Sequence, residues 1–133
     1  MIVDTSALVA ILKNEPGWDA LAKRLDSSKD TRISVSTFVE LCIVVDRWKN
    51  PTASLRIEEL MQQFEIAIEP FTAEQARIAR QAYRDFGKGS GHPANLNFGD
   101  CFSYALAREK REPILYLGDD FCHTDLRSAL ETH

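Results

Sequence analysis

The chain has 133 residues, 44% of them hydrophobic and 27% charged, and a formal net charge of −4. That length fits one domain with a single core, spanning 1–133, and the composition excludes the collagen-like, low-complexity and disordered classes. The negative sum excludes nucleic-acid binding through a diffuse positive field and leaves a local basic stripe beside an acidic centre as the route to such a partner.

Met1-Ile2-Val3 is a short apolar run that ends at Asp4-Thr5-Ser6, after which Ala7, Leu8, Ile11 and Leu12 recur at helical spacing. A strand therefore leads into a helix. Pro16-Gly17 ends that helix, and Trp18, Leu21, Ala22 and Leu25 mark another. Ile33-Ser34-Val35 is the second strand, and Ser36-Thr37 opens a helix with Phe38, Leu41, Cys42, Val45 and Trp48 on one face. Asn50-Pro51 punctuates it before Leu55, Ile57, Leu60, Met61 and Phe64, so residues 36–64 form a helical hairpin. Ile66-Ala67-Ile68 is the third strand. Thr72 then caps a helix with Gln75, Ala79, Ala82 and Phe86 on one side and Arg77, Arg80, Arg84 and Lys88 as a basic stripe on the other. The glycine-rich stretch 87–99 is the one long loop. Asp100 opens a helix with Phe102, Ala105 and Leu106 inward, and residues 114–117 make the last strand, ending at Gly118-Asp119-Asp120. Strands alternating with helices predict an α/β fold, a mainly parallel sheet of about four or five strands with helices on both faces.

No stretch approaches the roughly 20 apolar residues that span a bilayer, and no basic segment precedes the first apolar run, so a cytoplasmic location without a membrane partner is expected. Cys42, Cys101 and Cys122 are odd in number and widely spaced, which fits neither a disulfide framework nor a zinc site and leaves them as small hydrophobes.

In an open α/β sheet, ligands bind beyond the carboxyl ends of the strands. Asp4 ends the first strand, Asp119 and Asp120 follow the last, Asp100 starts the helix before it, and Glu40 lies in the first turns after the second. Each has a simpler reading: Asp4 and Asp100 stand where helix caps stand, Thr37 and Glu40 fit a capping box, and Gly118-Asp119-Asp120 is a turn. Four unrelated caps have no reason to share one rim, so the constellation is the signal. Clustered carboxylates raise one another's pKa values and call for a positive charge. Oxygen donors without His or Cys favour a hard cation, Mg²⁺ or its substitute Mn²⁺, which can activate water for phosphodiester hydrolysis. Ser6 and Thr5 could support a carboxylate, or merely start a helix. The Arg77, Arg80, Arg84, Lys88 stripe suits either solvent or a nucleic-acid backbone. His92 and His123 sit in loop settings that favour surface roles, and the Gly-Lys-Gly-Ser-Gly run at 87–91 lacks a phosphate-loop pattern.

Met-Ile-Val-Asp-Thr-Ser-Ala-Leu at the start resembles, together with Ser-Thr-Phe-Val-Glu-Leu around Glu40, Leu-Asn-Phe-Gly-Asp-Cys-Phe-Ser-Tyr-Ala-Leu-Ala around Asp100 and Leu-Gly-Asp-Asp-Phe-Cys-His-Thr-Asp-Leu near the end, the PIN-domain ribonuclease toxins of VapBC toxin-antitoxin pairs. The resemblance implies a PIN-like three-layer sandwich and a Mg²⁺-dependent endoribonuclease, the toxin component of a type II toxin-antitoxin system. Asp4, Glu40 and Asp100 match the family's catalytic and metal-binding acids, with Asp119 the fourth or Asp120 in its place. It further implies a homodimer, an RNA substrate, and a VapB-type antitoxin that joins the toxin in a hetero-oligomer, for which the hairpin at 36–64 offers an apolar landing surface. Two other functions compete. One is a catalytically silent PIN scaffold, against which the complete acid set stands. The other is a phosphatase with Asp4 as nucleophile, against which Ser6 stands, since such sites place a second acid there.

Overall fold

The computed structural model describes residues 1–130. In chain order the elements are β1 (Ile2–Val3), α1 (Thr5–Lys13), α2 (Trp18–Ser27), β2 (Thr31–Ser34), α3 (Val35–Asp46), α4 (Pro51–Gln63), β3 (Ile66–Glu69), α5 (Ala73–Phe86), α6 (Asp100–Lys110) and β4 (Ile114–Leu115). All strand pairs are parallel, in the order β3-β2-β1-β4.

Alternation along the strands builds the three layers. Val3, Ile33 and Leu115 point into a core shared with α1 to α4, where Leu8, Leu21, Leu25, Leu41 and Val45 are essentially sealed from solvent. Their neighbours Ile2 and Ile114 point to the other face, against Ala82 of α5, Leu106 of α6 and Phe121. The two-residue period of a strand thus serves both cores at once. Strand order reverses between β1 and β4, because the chain moves outward through β2 and β3 and returns to the far side of β1. The crevice beyond the carboxyl ends of these two strands is where such sheets hold ligands.

Local chemistry explains where the helices begin. Asn50 accepts from the amides of Thr52 and Ala53 with Pro51 in the first turn of α4, and Thr72 accepts from the Gln75 amide at the start of α5. Three details depart from the sequence pattern. Val35 opens α3 instead of ending the strand, because Ser34 Oγ accepts from the Ser36 amide and caps the helix one residue early. The last strand stops at Leu115, and the Leu117 amide turns to Ser6 Oγ. Phe102 is only half buried; Cys101, Ser103, Tyr104 and Ala105 around it are buried, and Phe102 instead meets Phe71 and Phe98 edge-on at 5.0 and 4.9 Å.

Candidate active site at the carboxyl rim of the sheet

Asp4 leaves β1 with its amide bonded to the Leu115 carbonyl at 2.9 Å, and its side chain caps α1. Asp4 Oδ2 accepts from the Ser6 amide at 3.1 Å and from Ser6 Oγ at 2.8 Å, and Oδ1 accepts from Ser103 Oγ at 2.6 Å. Asp4 is both a cap and a buried acid, 4% exposed. Ser6 is oriented in turn, since its Oγ accepts from the Leu117 amide at 3.0 Å and so must point its proton at Asp4.

The other acids converge from separate elements. Glu40, half buried on α3, accepts from Thr5 Oγ1 at 2.6 Å. The capping-box reading of Thr37 and Glu40 does not describe this geometry: Ser34 caps α3, Thr37 is fully buried with its Oγ1 3.2 Å from Ser103 Oγ, and Glu40 is taken by Thr5. Asp100, 8% exposed, sits in the first turn of α6; its Oδ2 accepts from the Asn97 amide at 3.0 Å while its own amide donates to Asn97 Oδ1 at 2.9 Å. That reciprocal pair fixes the carboxyl to the end of the long loop. Gly99 packs against Glu40: a Cβ there would lie 2.7 Å from the Glu40 carboxyl carbon, so a larger residue would have to displace this carboxylate from its place between α3 and α6.

Burial raises the proton affinity of all three acids. Burial pushes the Asp4 carboxyl up against the pull of the Ser103 and Ser6 hydroxyls and the Ser6 and Thr5 amides. Burial also raises Glu40, opposed by the Thr5 hydroxyl and reinforced by the charge of Asp4. Asp100 is pushed up to about 8, chiefly by burial, against the Asn97 amide and with the charge of Asp4 and a side-chain contact with Asp120 adding to it. Among the described ion pairs none involves Asp4, Glu40 or Asp100. The helices α1, α3 and α6 all begin at this rim, and their positive dipole ends offset part of the repulsion.

Of the two acids after β4, it is the Asp120 carboxyl that reaches Asp100. Asp119 is exposed in the same turn, with its backbone carbonyl accepting from Cys122 Sγ at 3.1 Å. Arg77, Arg80 and Arg84 are exposed along α5, whereas the helix ends at Phe86 and leaves Lys88, also exposed, in the following turn and off the helical stripe; Arg80 borders a groove with Phe71, Phe98 and Phe102, next to Gly99. His92 is tied into its loop by accepting from the Ala94 amide, and His123 is exposed. Ser103, Asn97 and Gly99 are residues to which the sequence pattern assigned no role, and Thr37 one to which it assigned only a capping role. Ser103 lies three residues after Asp100 and Thr37 three before Glu40, so each hydroxyl shares a helix face with an acid one turn away.

The donor set fits a hard cation in kind, being all carboxylate oxygen. The charge of Asp4 acts on Glu40 and on Asp100 in turn, and among the described residues no three of His, Cys, Asp or Glu are placed to hold an ion together. Magnesium commonly takes one or two carboxylates and fills its shell with water and substrate oxygens, so a paired arrangement is enough for it.

Fold and rim together define a class. Residues 1–126 match the family model of the PIN domain. Over 131 residues, and 98% of each chain, the sequence is 50% identical to Ribonuclease VapC28 of Mycobacterium tuberculosis, and over 129 residues, 97% of this chain and 98% of the other, 50% identical to Ribonuclease VapC42 of the same species. The crystal structure of Mycobacterium tuberculosis VapC20, a sarcin-ricin loop cleaving toxin, superposes with a TM-score of 0.73 at 18% identity, covering 94% of this chain and 95% of that one, which shows the shared fold. The chain belongs to the PIN-domain family, among its VapC ribonucleases.

Proposed function

We propose that this chain is the ribonuclease toxin of a toxin-antitoxin pair and hydrolyses RNA phosphodiester bonds at the carboxyl rim with a divalent ion, Mg²⁺ or in its place Mn²⁺. The observation that supports this most is that Asp4, Glu40 and Asp100, from β1, α3 and α6, come to one rim with proton affinities raised by burial and that none of them takes part in a described ion pair.

Asp4 and Asp100 would hold the ion, with Glu40 and Asp120 beside them and Asp119 within the same turn as Asp120. When bound, such an ion supplies Lewis-acid stabilisation of phosphoryl charge and makes water a better nucleophile. The residues do the rest. Glu40, held at Oε1 by Thr5 and only half buried, is the acid best placed to orient an entering water and take its proton. Ser6 and Ser103 hold Asp4 still. A nucleophilic role for Asp4 is disfavoured, since Ser6 stands where such sites place a second acid.

The exposed α5 stripe, with Arg80 at the aromatic groove, is suited to an RNA backbone. For the antitoxin and for a second copy of the toxin, the exposed Val39, Ile43 and Leu55 of the helical hairpin and the groove of about 530 Å³ that Val39 and Ile43 form with Phe98 and Phe102 offer apolar surface. Among the described residues no helix is long and apolar enough to cross a membrane.

The direct test is antitoxin-free protein incubated with structured and unstructured RNA, with Mg²⁺ or with EDTA. Cleavage in Mg²⁺ alone is expected, with loss in Asp100→Asn. Cleavage that survives both EDTA and that substitution overturns the assignment, and binding of antitoxin without metal binding or cleavage of any RNA would establish a silent scaffold.

A further inference from the structure

The interior side of Asp4 carries a chain of hydroxyls that helix capping does not require. Ser103 Oγ, on α6, stands 2.6 Å from Asp4 Oδ1 and 3.2 Å from Thr37 Oγ1, on α3, and both hydroxyl residues are fully buried. Ser103 has one proton to give. When Asp4 is ionised, that proton goes to the carboxylate, so Ser103 must accept from Thr37 in the second contact, and the chain runs Thr37 to Ser103 to Asp4. Thr37 and Thr5 belong to one local frame as well, since Thr5 Oγ1 lies 3.4 Å from the Thr37 carbonyl and donates to Glu40 at 2.6 Å.

The count of acceptor sites then distinguishes the two oxygens of Asp4. Oδ2 takes two donors, the amide and the hydroxyl of Ser6, and these fill its in-plane lone pairs. Oδ1 takes a hydrogen bond from the Ser103 hydroxyl, and the Thr5 amide, which also draws on the carboxyl, makes none within ordinary hydrogen-bond geometry, so Oδ1 keeps one lone pair.

We infer that Ser103, backed by Thr37, is a positioning residue that orients the Asp4 carboxylate so that Oδ1 is the oxygen offered to the divalent ion. This rests on the proposed metal-dependent reading of the rim. Without the Ser103 hydroxyl, Asp4 is anchored on one oxygen only, and the carboxylate can rotate about its bonds to Ser6. The ion then meets a mobile donor in place of a fixed one. Outer hydrogen-bond partners of metal ligands commonly contribute tenfold or more to affinity.

The test is Mn²⁺ binding to the full antitoxin-free chain, followed by calorimetry and by the electron spin resonance signal of free Mn²⁺, with metal-free melting measured alongside. Ser103→Ala should bind Mn²⁺ about tenfold more weakly, whereas Ser103→Thr, which keeps the hydroxyl, should restore binding. Thr37→Val, isosteric and without the outer hydroxyl, should weaken it by about threefold, and it provides a reading even if Ser103→Ala does not fold. A merely structural Ser103 would lower the melting temperature and leave Mn²⁺ affinity of the folded protein at the wild-type value, and that result overturns the inference. Absence of Mn²⁺ binding to the wild type overturns the metal-dependent reading and this inference with it, whereas wild-type binding that Ser103→Ala and Thr37→Val leave unchanged overturns the inference alone.

Discussion

Replacing Asp100 by Asn tests whether the rim is a site of stored repulsion or an ordinary helix start. The Asn side-chain oxygen can still accept from the Asn97 amide, and its new NH₂ group can donate toward Asp120, so the local bonds survive while one charge disappears. The folded Asp100 carboxyl holds its proton up to about 8, against an ordinary value of 3.8. Because the folded chain binds that proton more tightly than the unfolded chain, the associated stability is complete below about pH 4 and is lost as pH rises through 8. Each pKa unit is worth about 1.4 kcal/mol, which sets an upper bound of about 6 kcal/mol, and since local relaxation and water entry relieve part of the burial cost we expect the charged Asp100 to destabilise the metal-free protein by about 2–3 kcal/mol at pH 8.5. For a domain of this size that is roughly 10 °C in melting temperature. Thermal melts of metal-free protein should therefore show Asp100→Asn melting roughly 10 °C above wild type at pH 8.5, and the two converging only below about pH 4. Adding Mg²⁺ at a hundred times its dissociation constant should stabilise wild type by about 2.7 kcal/mol and the variant by much less. A variant that melts well below wild type at pH 8.5 would mean that the Asp100 anion is itself a net stabiliser of α6, and the repulsion argument would be wrong.

Further expectations follow from neighbouring contacts. Gly99→Ala has a helical backbone angle that alanine tolerates, φ −63°, so its new methyl should act by displacing Glu40; cleavage should fall by about a hundredfold with only a small change in melting temperature. Unchanged cleavage would remove Glu40 from the site. Combined Arg80→Ala and Arg84→Ala should weaken RNA binding and reduce its dependence on salt by about two counterions in a titration series, and an unaltered salt slope would assign the stripe to solvent. Leu106→Ala, fully buried between α6 and the sheet, should cost about 2–5 kcal/mol in denaturant unfolding, and a loss below about 1 kcal/mol would contradict the packing described.

Much of the architecture was legible in one dimension because its signals are local. The alternation of apolar runs with helical periodicity implied a parallel sheet covered on both faces, and the cap at Thr72 depends only on residues within one turn. The acids could be placed at one rim because a parallel strand delivers its last residue to the same edge as its neighbours. Which acid touches which was not legible. The sequence pattern offered Thr37 and Glu40 to each other across one turn, whereas the fold gives Thr37 to Ser103 and Glu40 to Thr5, partners 66 and 35 residues distant. Asp119 and Asp120 are adjacent in sequence, and only the turn after β4 decides that Asp120 faces Asp100.

The amino-acid sequence by itself determined the elements, their parallel arrangement and the set of carboxylates available at the rim, since hydrophobic period and capping act over a few residues. Tertiary structure decided the hydroxyl chain behind Asp4, the space that Gly99 leaves for Glu40, and the rise in the Asp100 pKa. Burial and long-range hydrogen bonds set those properties, and they exist only once β1, α3 and α6 have packed together.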